Sequence, residues 1–150
     1  MIKIDHLSFE TLGNRIHTNR ELGMMLRGEK PLAKFSGIRD RFPDVVERYI
    51  RLFDRHVASG RFVRRDHFLA IPEISRAEWG ESFQTIYFAL PNEVWRIDAM
   101  IELRSHVGRW KEAQERQEGS LLGYEDWQND IWIAGEAARR SKGLLGFHDD

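Results

Sequence analysis

Positions 83–90 carry Phe83, Ile86, Tyr87, Phe88 and Leu90 and no charged residue. A short β-rich run with apolar groups on both faces belongs in the middle of a sheet. Pro91 and Asn92 end it, and Asn92 is suited to cap a helix whose first turn holds Glu93 at the positive end of the dipole. Val94, Ile97, Met100, Ile101, Leu103, Val107 and Trp110 then recur at spacings of three and four, which predicts a helix through 94–110 laid on the sheet. A competing reading folds 94–97 back as the return strand of a hairpin, with the helix starting near Asp98; we take the helix. The stretch 111–119, KEAQERQEG, reads as a polar, solvent-exposed extension of it, broken at Gly119-Ser120.

The remaining elements are placed around this stretch. Ile2 and Ile4 alternate with Lys3 and Asp5, and Leu7 and Phe9 follow after a change of phase, so 2–9 reads as a strand bulged near His6. Thr18 and Glu21 fit a capping box ahead of Leu22, Met25 and Leu26, a short helix ended by Gly28. Residues 31–36 are a weaker strand pattern bounded by Gly37. From Pro43 the pattern is that of a surface helix, with Val46, Tyr49, Ile50, Phe53 and Val57 on one face and charges on the other, closed at Gly60. Residues 61–71 read as a strand with Val63, Arg65, His67, Leu69 and Ile71 on one face and Phe62, Arg64, Asp66 and Phe68 on the other. The connection 72–82 is long for a hairpin and carries Trp79 beside Gly80. A last helix begins near Tyr124 or Glu125, with acids at its start and Arg139, Arg140 and Lys142 at its end. The tail from Gly143 either docks through Leu144, Leu145 and Phe147 or stays loose. The order predicts an α+β fold: a mainly antiparallel sheet of about four strands packed against three to four helices in one domain.

Composition narrows the class only moderately. With 150 residues, 41% hydrophobic and 31% charged, the chain is ordinary for a globular protein. No apolar run approaches the roughly 20 residues that span a bilayer, so no membrane partner is expected and the cytoplasm is the default location. The absence of cysteine excludes disulfides and thiolate chemistry. The net charge of −1 hides an asymmetry: eight basic against four acidic residues over 39–65, and eight against twelve over 93–150. The two parts either attract one another or face different partners.

Four sets of residues carry candidate chemistry. Asp98, Glu102 and His106 stand four apart on the predicted helix and share a face. Such a set holds a divalent ion or supplies acid–base groups if His67 or Asp130 closes over it. The plainer reading is a solvated helix face. Arg61, Arg64, Arg65 and His67 are suited to an anionic ligand, although arginines that keep an exposed strand soluble explain them at least as well. The arginines of 39–65, with Phe42, Tyr49 or Phe62 as stacking groups, would suit nucleic acid. Four interleaved acids and a slightly acidic chain speak against that. Tyr124, Asp126, Asp130 and Trp132, with Trp127, would dock on a basic protein partner, unless the indoles are core, as is commoner at helical spacing.

Serine nucleophile elbows, phosphate-cradling glycine loops and dinucleotide fingerprints are missing, so no cofactor and no metal are expected. The sequence points to a protein-binding or adaptor module using Trp79, Trp132, Tyr124, Asp126 and Asp130. The alternative is a small enzyme or ligand-binding protein using Asp98, Glu102 and His106, and the third is nucleic-acid binding through 39–65.

Overall fold

The computed structural model describes residues 19–148. The strand expected at 2–9 and the Thr18 half of the capping box lie outside the described residues. Along the chain come α1 (Glu21–Leu26), β1 (Leu32–Ile38), α2 (Asp44–Ala58), β2 (Val63–Ala70), α3 (Arg76–Trp79), β3 (Ser82–Ala89), α4 (Trp95–Arg104), α5 (Glu112–Leu121) and α6 (Asp126–His148). Short 3-10 turns precede α3 and α4, at Glu73–Ser75 and Pro91–Glu93. The fold is mixed α and β, with a three-stranded antiparallel sheet among the described residues where about four strands were expected, and six helices where three to four were.

β3 lies between β1 and β2 and runs antiparallel to both. Its alternation sends Ile86 and Phe88 to one face and Tyr87 and Ala89 to the other, and all four are buried. The first face is covered by α2 and α1. Ile50, Phe53 and Met25 are buried there with Ala33, Ile86 and Phe88, and the Phe53 and Phe88 rings stack at 4.7 Å. The second face is covered by α4 and α5, where Ile97, Met100, Leu103 and Leu121 pack on Leu32, Tyr87 and Ala89. Burying each large apolar side chain is worth about 1.5–3 kcal/mol, so one strand anchors two separate layers.

The expected helix over 94–110 is shorter than predicted. Asn92 lies in the 3-10 turn, and α4 begins at Trp95 with no side-chain cap. It stops at Arg104, where the Ser105 hydroxyl donates to the Glu102 carbonyl at 2.7 Å and the backbone turns through Gly108 at φ 109°. Val107, in phase with the helix in sequence, is exposed on this turn. Trp110 comes back against the α4 layer from the loop ahead of α5. The KEAQERQEG stretch is therefore no extension of α4: it opens α5, whose first turn is closed by the Lys111 amide donating to Gln114 Oε1 at 2.9 Å. The tail does not leave the last helix at Gly143, because α6 continues to His148. Glu21 opens α1, and its carboxylate accepts the Tyr49 hydroxyl at 3.0 Å.

One junction fixes the α5–α6 pair to the sheet. Lys30, just before β1, is buried and donates from Nζ to the Leu122 carbonyl at 2.6 Å, with the Tyr124 ring 5.4 Å away. Gly123 sits so close to Pro31, at φ 92°, that a Cβ would come within 2.5 Å of the proline ring. Burial pulls the Lys30 amine from 10.5 down to about 7, with Glu21 opposing. Between those two values the unfolded chain binds more protons than the folded one, so this lysine's contribution to stability rises with pH across the window. Lys30→Met removes the cost of burying the charge and leaves the Leu122 carbonyl without its donor. The expected outcome in urea titrations is a variant more stable than the wild type below pH 7. That advantage shrinks as the pH approaches 10.5, where the missing hydrogen bond leaves the variant about 1 kcal/mol the weaker.

Candidate interaction surface

The register of the sheet sorts the α4-side face into four cross-strand rows. Val63, Ala89 and Leu32 form the first, apolar and roofed by α4. Arg65, Tyr87 and Lys34 form the second. Its charges are met from above: Lys34 Nζ donates to Glu118 Oε1 of α5 at 3.0 Å, and Arg65 pairs with Asp98 of α4. Arg104 donates to the same Glu118 Oε1 at 3.2 Å. Burial raises the Tyr87 hydroxyl pKa between them. His67, Thr85 and Ser36 form the third row, polar, with the Ser36 and Thr85 hydroxyls 3.1 Å apart. Leu69, Phe83 and Ile38 form the fourth.

The fourth row is apolar again, and no described helix covers it. Leu69 is 56% exposed and Phe83 47%, although they face each other directly across the ladder. The connection from β2 to β3 folds over the end of this row. A Cβ on Gly80 would come within 3.0 Å of Ile38 Cγ2, and Arg41 reaches the Glu78 carbonyl at 3.4 Å. The same connection presents Trp79 at 51% and Ile74 at 95% exposure. On the opposite face Phe68 is also exposed, with the Arg39 guanidinium 5.0 Å from its ring. β2 is an edge strand whose outer side pairs with no strand among the described residues. Its first half carries the charges that blunt such an edge, and its second half, Phe68-Leu69-Ala70, carries none.

The residues singled out by sequence are dispersed by comparison. Asp98 and Glu102 lie exposed on α4, while His106 lies beyond its end with Nε2 3.3 Å from the Arg109 carbonyl. Glu102 and His106 border a shallow, open depression of about 330 Å³ shared with Gln114 and Gln117 of α5. Asp98 is instead held by Arg65. Neither His67 nor Asp130 joins them: His67 sits in the polar row and Asp130 pairs with Arg116 at 2.6 Å. No group of three or more histidine, aspartate or glutamate side chains suited to a metal occurs among the described residues.

Within the expected anion set, Arg64 is taken by Asp54 and Asp66, on the face opposite Arg65 and His67, and Arg61 is exposed. The Asp66 carboxyl is held below its usual range by that guanidinium. Of the stacking groups considered for nucleic acid, Phe62 is buried, Tyr49 is tied to Glu21 and the Leu22 amide, and Phe42 packs on Gly37. Arg48, Arg51 and Arg55 form a bare stripe on the outer side of α2. On α6, Trp132 donates to Glu115, and Trp127, read as core, is one-third exposed while Gln128 and Asn129 take the buried positions. Tyr124 faces Lys30, and Asp126 is exposed at the start of α6. Only Trp79 of the expected partner-binding residues lies at the bare end of the sheet.

The chain matches no protein-family model, no curated protein and no solved structure. The sequence had treated Leu69 and Phe83 as interior strand positions. The available signal was the change along β2 from charged to wholly apolar, followed by Ile74 in an otherwise polar connection. Because Leu69 and Phe83 are half-exposed, replacing either with threonine is expected to change the unfolding free energy of the single chain by no more than about 1 kcal/mol. Ile86→Ala, three residues along the same strand as Phe83, is expected to cost about 2–5 kcal/mol in the same denaturant titration.

Proposed function

We propose that this chain is a protein-interaction module that docks through the bare end of its sheet. The observation that carries this reading is the directly paired Leu69 and Phe83, half-exposed on a face whose other end is roofed by α4 and α5. The largest apolar patch of a protein is often its functional surface, and interface centres favour aromatic anchors such as Phe83 and Trp79. A polar row, His67–Thr85–Ser36, separates this surface from the packed core. Removing apolar bulk here therefore removes binding surface and leaves the folded layers in place.

The acid and histidine set on and beyond α4 gives less support to catalysis, since Asp98 is engaged by Arg65 and His106 stands past the helix end. The test is affinity capture with immobilised wild-type chain and with the Leu69→Lys, Phe83→Lys double variant. The expected result is a set of captured proteins, further copies of this chain included, that is lost with the double variant and kept with Trp132→Ala. Capture that is identical with the wild type and the double variant would contradict the proposal.

A further inference from the structure

We infer that the partner at the bare end of the sheet is a second copy of this chain, meeting the first about a two-fold axis; this rests on the docking reading above. A two-fold interface sets one surface against itself, so its charges must balance within the surface. The two segments that adjoin this patch in sequence, the β1–α2 turn and the β2–β3 connection, carry Arg41 and Arg76 with Asp40, Glu73, Glu78 and Glu81, both signs interleaved. A partner of strong single-sign charge would find no match on such a rim, whereas a second copy carries the same balance of signs. The net charge of −1 adds almost no long-range repulsion between two copies.

The size is also of the right order. A fully buried aromatic residue removes about 150–250 Å² from water. The half-exposed Phe83 and Trp79, with Leu69 and Ile74, therefore bring several hundred Å² toward the roughly 800 Å² that each partner of a standard interface contributes. The unpaired outer edge of β2 runs beside this patch and extends it.

Sedimentation equilibrium of the full chain over about 1–100 μM, the weaker part of the range spanned by interfaces of this size, is the test. The expected result is twice the chain mass for the wild type and the single chain mass for Leu69→Lys, Phe83→Lys. Ile74→Glu, at a side chain too exposed to matter for folding, is expected to weaken the dimer at least tenfold. A monomeric wild type overturns the inference. If that monomer dimerises once residues 1–18 are deleted, the occupant is that segment of the same chain and not a second copy. If it stays monomeric but still captures another protein through Leu69 and Phe83, docking stands and self-association falls. If it does neither, both readings fall.

Discussion

Simultaneous burial of both faces of β3 is the constraint on which the other contacts depend. Ile86 and Phe88 hold the α1–α2 layer, Tyr87 and Ala89 hold the α4–α5 layer, and the same four residues lie in ladders to β1 and β2. Each buried cluster is completed by residues of this strand, and the helices that cover it turn charged faces outward. The two layers are therefore tied through a strand of eight residues.

The same geometry accounts for the bare end. α4 is ten residues long and is drawn to the first row of the sheet by Ile97, Met100 and Leu103. Its Asp98 reaches the second row at Arg65, and α5 reaches that row through Glu118. The third row is polar enough to meet water, and by the fourth the chain has no described helix left to lay across Leu69 and Phe83. An apolar row beyond a polar one cannot be an overflow of the core. It is a surface separate from the core.

Most of the elements were legible from periodicity, and the misreadings share a physical origin. The 86–89 half of β3 and the α2 face were legible because each pattern matches a single environment over its length, buried on both faces for the strand and on one face for the helix. The pattern over 94–110 was misleading because Val107 and Trp110 kept helical phase by coincidence across a turn that depends on Ser105 and on Gly108 at positive φ. A hydrophobic count cannot weigh that turn against three further helical residues. Helical spacing favours a core position for Trp127 and leaves Trp132 open between core and surface. Glu115 and Glu125 satisfy their indole groups at the surface, and the neighbouring Gln128 and Asn129 are buried in their place. The bare patch was hidden because an apolar side chain in a strand looks the same in sequence whether or not a helix reaches it.

Native-state hydrogen exchange along β3 tests the double anchoring most directly. If both layers are held by this strand, the amides of residues 86–89 exchange only through global unfolding, at the free energy obtained from denaturant, for even and odd positions alike. Protection confined to alternate residues, or a free energy well below the global value, would mean that one edge strand and its helical layer open independently, and would contradict the account.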